Sequence, residues 1–218
     1  MMRISEVAED DGSGSGPGVQ AYYAQFADTL AERYESVSFE HVHAALLDLL
    51  PEAPARVLDV GAGTGRDAAA LARLGHRVVA VEPVAELRRV AERLHGEEEG
   101  INWRRGALPE LAELDGEFNG GFDAILLSAV WMHLLPQERP VALRRLAELL
   151  APGGVLLISL RRGEPPRERR MFDVPASEVA EQGRAAGFEI VRQAGGERDH
   201  LGRDDVSWEA LALRGAGR

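Results

Sequence analysis

Between residues 56 and 160 the chain switches repeatedly between short apolar runs and longer amphipathic stretches, and that rhythm limits the folds open to it more than any other feature. The runs 56–60, 77–81, 101–104, 122–127 and 155–160 have strand length and composition. The stretches 64–74, 85–95 and 136–150 carry the wider spacing of helices. Strands that alternate with helices form a parallel sheet wound by right-handed crossovers, and apolar-rich strands sit at its centre, covered on both faces. Downstream, 177–186 reads as a helix stopped by Gly187, and 188–192 and 207–213 read as two more strands. With 218 residues, 45% of them hydrophobic, a single α/β core is expected over 51–214.

The N-terminal part differs. Residues 1–18 end in a polar, glycine-rich run from Asp10 to Gly18 that has too little apolar surface to offset the entropy of ordering, so a disordered tail is expected there. Residues 19–50 hold two helical patterns, one with Tyr22, Tyr23, Phe26, Leu30 and Tyr34, the other with Val42, Ala45, Leu46, Leu49 and Leu50. Pro51 and Pro54 close this region.

Composition removes several kinds of chemistry. There is no Cys, hence no disulfide, thiolate nucleophile or cysteine metal site, and no metal centre of any kind is expected. All 25 basic residues are Arg, which excludes lysine Schiff bases and a lysine phosphate loop. A net charge of −11 argues against a nucleic-acid partner, because neutralising phosphates needs a concentrated basic face. No apolar run approaches the roughly 20 residues of a membrane span, and the N-terminus lacks a secretory pattern. The expectation is a cytoplasmic protein acting on a small molecule or, as the weaker alternative, a protein.

The sharpest local signal is Val57-Leu58-Asp59-Val60-Gly61-Ala62-Gly63-Thr64-Gly65-Arg66, an apolar strand entering three alternating glycines and then a helix. Glycines permit positive φ and bring a ligand against the backbone, while the helix start offers unpaired N–H groups; a purely structural turn is the competing reading. A dinucleotide loop is spaced G-x-G-x-x-G for pyrophosphate. Here the spacing is G-x-G-x-G, with acidic Asp59 two residues ahead of it. Glu82 ends the next apolar run, where a carboxylate can accept both hydrogen bonds of a ribose diol, and Pro83 then turns the chain away. These features suit adenosine carrying a charged amino-acid arm.

On these residues the chain resembles the class I S-adenosylmethionine-dependent methyltransferases. The matching segments are 57–67, 78–87, 122–134 and 149–160, the last containing Ala151-Pro152-Gly153-Gly154, and the resemblance covers roughly residues 20–214. It implies a doubly wound, seven-stranded, mostly parallel sheet with an antiparallel last strand, helices on both faces, and an N-terminal helical lid that brings Tyr22 over the cofactor. It further implies that Gly61, Ala62 and Gly63 approach the methionine arm of S-adenosylmethionine. Glu82 would bind the ribose hydroxyls, Leu108 would flank the adenine, and Ser128 would lie near the sulfonium. Many members carry an Asp before a Leu-Pro pair after the third strand; here the residue is Ala107, so backbone groups of Ala107 and Leu108 would read the adenine edge. Arg66 is a candidate for the cofactor carboxylate.

Methyl transfer from a sulfonium mainly needs positioning and exclusion of water. His133, after the fourth strand, is a candidate general base or a helix-capping residue. Trp131 either stacks on a ligand or belongs to the core, and Tyr23 is a candidate substrate contact. The stretch 161–170 holds five Arg against two Glu; Arg161 and Arg162 are candidates for recognising an anionic substrate, with a solvated loop as the alternative. The motif for methylating exocyclic amines of nucleic acids is absent, since the equivalent stretch reads Ser128-Ala129-Val130-Trp131. A cofactor-binding module without turnover and an NAD(P)-dependent oxidoreductase are the rival functions.

Overall fold

A computed structural model describes residues 17–199 and 201–215. Seven strands form one sheet: β1 (Arg56–Val60), β2 (Arg77–Val81), β3 (Ile101–Arg104), β4 (Phe122–Ser128), β5 (Leu150–Arg162), β6 (Glu189–Arg198) and β7 (Ser207–Arg214), in the order β3-β2-β1-β4-β5-β7-β6. The first five pair in parallel, and β7 runs antiparallel to both β5 and β6. Chain order reverses between β1 and β4, and in such sheets ligands bind in the crevice at the carboxyl ends of the strands flanking the reversal.

Alternation along the strands builds a core on each face. Leu58, Val81, Ile125, Leu127, Leu156 and Ile158 join Leu143 and Leu146 of α6 (Arg139–Leu149) and Val179 of α7 (Ala176–Ala185). The neighbouring positions Val57, Val78, Ala80, Leu126 and Leu157 face Ala68 and Leu71 of α4 (Arg66–Arg73), with Phe39 and Leu46 over them. Burying such side chains stabilises the fold by roughly 1.5–3 kcal/mol each. A third, smaller cluster packs Leu87 and Val90 of α5 (Ala85–His95) against Ala27 and Ala31 of the N-terminal region.

Residues 1–16 lie outside the described residues, while Pro17 and Gly18, expected in the tail, open α1 (Pro17–Gln25). The first helical pattern bends at Phe26 (φ −110, ψ 14) into α2 (Ala27–Glu35), although hydrogen bonds continue across the bend from Phe26 to Tyr22 and from Leu30 to Phe26. The second pattern yields only α3 (Phe39–Val42) and a 3₁₀ turn, Leu47–Leu49. Leu50 is extended (φ −64, ψ 140), as the crowding by Pro51 requires. β5 and β6 outrun the expected strands because β7 pairs along β5 from Val155 to Arg162 and along β6 from Glu189 to Arg198, while Leu150 at the start of β5 pairs with Phe122 of β4. Arg161 and Arg162 are therefore strand residues rather than loop residues.

Candidate active site

The turn after β1 is held by Gly61 and Ala62, whose N–H groups both donate to the Val81 carbonyl (2.7 and 3.0 Å). Gly61 has φ +71, and a Cβ there would stand 2.5 Å from Val130 Cγ2. Gly63 also has positive φ (+58), but a Cβ at that position would meet nothing nearer than 3.9 Å, so this peptide borders open space. Into that space projects Glu82, the residue after β2. One of its carboxylate oxygens accepts from the Gly63 N–H (2.9 Å) and the other from the Val84 N–H (2.8 Å). Burial pushes its carboxyl up to about 7, against the pull of those two bonds. Each oxygen keeps a lone pair for a further donor, as a vicinal diol would supply.

Asp59 is 1% exposed, lines the same cavity, and its Oδ2 has no partner among the described residues. Burial raises its carboxyl well above the ordinary range, and the neighbouring Asp67 raises it further. A buried carboxylate of this kind fits a cationic ligand group. Asp67 is itself compensated, by His43 Nε2 (2.8 Å) and Arg66 Nε (2.7 Å). Arg66 also donates to the Tyr34 carbonyl (3.1 Å), and Thr64 donates to Glu35 (2.6 Å), so the end of α2 is fastened to the glycine turn twice. His95 Nε2 approaches the other Glu35 oxygen at 3.2 Å.

On the opposite side of the switch point, β4 ends at Ser128 and Ala129 takes φ +58, an uncommon conformation for a residue with a Cβ. Its N–H donates to Ser159 Oγ (3.1 Å), tying β4 to β5. A 3₁₀ turn, Trp131–His133, follows. His133 Nδ1 lies 2.9 Å from the Arg170 carbonyl and therefore carries the ring proton, which leaves Nε2 to accept from the Tyr23 hydroxyl at 3.0 Å. Burial lowers the imidazole to about 4, and Arg169 and Arg170 add to the effect. The Arg169 guanidinium lies over the rings of Tyr22 (4.6 Å) and Tyr23 (5.5 Å).

Asp59, the glycine turn, Glu82, Ser128, His133, Tyr22, Tyr23 and Arg169 face one cavity of about 550 Å³, with Pro83, Val84, Leu87, Ala107 and Leu108 forming an apolar wall beside Glu82. Every residue singled out in the sequence lines it except two. Trp131 is fully buried in the core under β4, because its turn directs the indole inward, and does not contact the cavity. Arg162 points away from it and is taken up by Asp173 and Glu209, both at 2.7 Å. Neither residue stands where a substrate contact would be made. At His133 the Nε2 lone pair is engaged by the Tyr23 hydroxyl, and burial favours the neutral ring. The supporting contacts of His43 with Asp67 and of Glu35 with Thr64, and the placement of Arg169, were not legible, because His43, Glu35 and Arg169 carry no motif and come from separate segments. Among the described residues no group of His, Asp and Glu is placed to hold a metal ion, and no helix is long and apolar enough to cross a membrane.

A glycine turn after β1, a carboxylate after β2 and an orphaned acid beneath the turn, all at a topological switch point, define a Rossmann-like protein that binds a nucleoside with a charged arm. The donors and acceptors present fit S-adenosylmethionine: Glu82 for the diol, Asp59 for an ammonium group, and the apolar wall for a base. Residues 30–193 match the family model of the methyltransferase domain. The chain belongs to that family, in its class I Rossmann-like form that uses S-adenosylmethionine. It is 40% identical over 118 residues to the ubiquinone biosynthesis O-methyltransferase of Xanthomonas oryzae pv. oryzae, a match that covers 53% of this chain and 46% of that one. The chain thus spans about half the length of the curated relatives it matches. Among solved structures it is similar to the Burkholderia thailandensis 1,6-didemethyltoxoflavin-N1-methyltransferase, determined with 1,6-didemethyltoxoflavin and S-adenosylhomocysteine bound, with TM-score 0.73, 25% identity, and 98% of this chain and 93% of that one covered. Phosphoethanolamine N-methyltransferase 2 of Haemonchus contortus shares the fold, with TM-score 0.71, 18% identity and coverage of 90% and 60%.

Proposed function

We propose that this protein transfers the methyl group of S-adenosylmethionine to an O, N or S atom of a small-molecule acceptor. The observation that carries the reading is the single cavity with Glu82 and Asp59 at one end and the Tyr23–His133 pair at the other, joined across the ends of β1 and β4. Bound S-adenosylmethionine supplies an activated methyl group, so the protein's part is placement and exclusion of water. Glu82 holds the ribose diol, Gly61, Ala62 and Gly63 border the methionine arm, Asp59 receives its ammonium, and Arg66 stands near its carboxylate. Pro83, Ala107 and Leu108 form the adenine slot. Ser128 borders the transfer point.

Tyr23 and His133 act as a unit. His133, neutral at physiological pH, fixes the Tyr23 hydroxyl through Nε2, and the hydroxyl so held stands at the cavity wall beside the acceptor. Tyr22 and Tyr23 lie on α1, so the N-terminal helices serve as a lid over the bound pair, latched by Thr64–Glu35 and Arg66–Tyr34.

Calorimetry with S-adenosylhomocysteine and NADH separates this function from an oxidoreductase: heat with the first and none with the second is expected, and the reverse pattern overturns the reading. Formation of S-adenosylhomocysteine from S-adenosylmethionine in the presence of a metabolite extract separates an enzyme from a binding module.

A further inference from the structure

We infer that the acceptor is a small ring-bearing organic anion whose carboxylate- or phosphate-type group is held by Arg161 and Arg169, about one ring's length from the atom that is methylated. The inference rests on the methyl-transfer reading above and names its substrate class.

Arg161 is only 8% exposed, lines the cavity, and spends one N–H on the Gly163 carbonyl (3.2 Å). Among the described residues it makes no ion pair, whereas its neighbour Arg162 makes two. The nearby carboxylate of Asp199 is already committed to Arg203 (2.6 Å) and to the Trp208 indole N–H (2.9 Å). Burial and the adjacent Arg203 both work against the charge on Arg161, ahead of what Asp205 and Asp199 return. A guanidinium at the wall of a cavity with most of its fork unused presents N–H donors to whatever occupies that cavity. Arg169 lines the same cavity from the loop after β5, its guanidinium over the rings of Tyr22 and Tyr23 and beside the Tyr23 hydroxyl. The open fork of Arg161, with a second guanidinium in the same cavity, suits a planar or tetrahedral oxyanion.

Position sets the shape of the ligand. Ser159 of β5 pairs in register with Ser128 of β4, the row that borders the transfer point. Arg161 lies two residues further along the same face of β5, roughly 7 Å at the usual rise per residue. The wall of the same cavity includes Met132, Met171 and the tyrosine rings, which accept a flat apolar body. An acceptor fitting both ends therefore places its anionic group across a ring from its nucleophile.

The test titrates protein already saturated with S-adenosylhomocysteine with benzoate, phenyl phosphate and the neutral benzamide. At least one anion should bind at least about tenfold more tightly than benzamide, and added salt should weaken that binding; the better anion tells carboxylate from phosphate. Arg161→Gln and Arg169→Gln should each weaken anion binding about tenfold, and Arg161→Gln should leave S-adenosylhomocysteine affinity unchanged. Arg161→Lys should restore part of the loss. If Arg161→Gln fails to fold, Arg169→Gln, on the loop, carries the comparison. Equal binding of benzamide and the anions, no binding of either anion at millimolar concentration, or unchanged anion affinity in the variants overturns the inference. The initial titration with S-adenosylhomocysteine alone reports separately on the methyl-transfer reading, which stands or falls there whatever the anions do.

Discussion

The Tyr23 hydroxyl lies 3.0 Å from Nε2 of His133, joining the first helix to the turn after the fourth strand across 110 residues of chain. Because Nδ1 of the same ring is spent on the Arg170 carbonyl (2.9 Å), the pair has one hydrogen-bonding sense, with tyrosine the donor and histidine the acceptor. Tyr23→Phe should lower turnover about tenfold or more with S-adenosylhomocysteine affinity unchanged. His133→Phe should do the same, and the double variant should lose no more than either single one, since coupled partners are not additive. Initial rates of S-adenosylhomocysteine release in an acceptor-containing extract provide the measurement; additive losses would show that the two side chains act independently.

Cofactor affinity should follow the ionisation of Glu82. Its carboxyl sits near 7 in the free protein, and ribose hydroxyls bond best to the ionised form, so binding shifts that value downward. Affinity for S-adenosylhomocysteine should therefore rise between pH 6 and 8 and flatten above. Glu82→Gln should flatten the slope to what Asp59 alone contributes, and Glu82→Ala should cost about tenfold or more at pH 8. Calorimetry across that range decides; a flat profile in the parent protein would remove Glu82 from the ribose.

The lid should order with ligand. Hydrogen exchange over α1 and α2 should slow when S-adenosylhomocysteine is added, while exchange in β1 and β4 stays the same. Thr64→Val removes one of the two fastenings to α2 and should speed exchange there and raise the cofactor Kd a few-fold, without loss of the sheet's circular dichroism. Protection that does not respond to ligand would make these helices a fixed cover.

Trp131 and Arg162 should report on the fold and not on the acceptor. Trp131→Ala empties a fully buried site and should cost about 3–5 kcal/mol of stability in a denaturant titration. Arg162→Gln breaks partly exposed ion pairs with Asp173 and Glu209, each worth about 0–1 kcal/mol at such positions, and should leave KM for the acceptor unchanged. A raised KM in Arg162→Gln would return that residue to the site.

The alternation of apolar runs and amphipathic stretches already specified β1 to β5 and the helices between them, since strands buried on both faces must be apolar throughout and their crossovers must be amphipathic. The glycine turn, Asp59 and Glu82 were equally legible, because a positive φ and a carboxylate at a strand end leave marks within a few residues. β6 was legible only over its first residues, in the run 188–192: as an edge strand it has no continuous buried face, and pairing with β7 defines its full length. The same limit applies to side chains brought together over distance. Whether Trp131 entered the core or the cavity, which of Arg161 and Arg162 kept a free guanidinium, and that His43 supports Asp67 depended on how a turn aims an indole and on which carboxylates fold within reach. Those are properties of packing between segments far apart in the chain, and local pattern does not encode them.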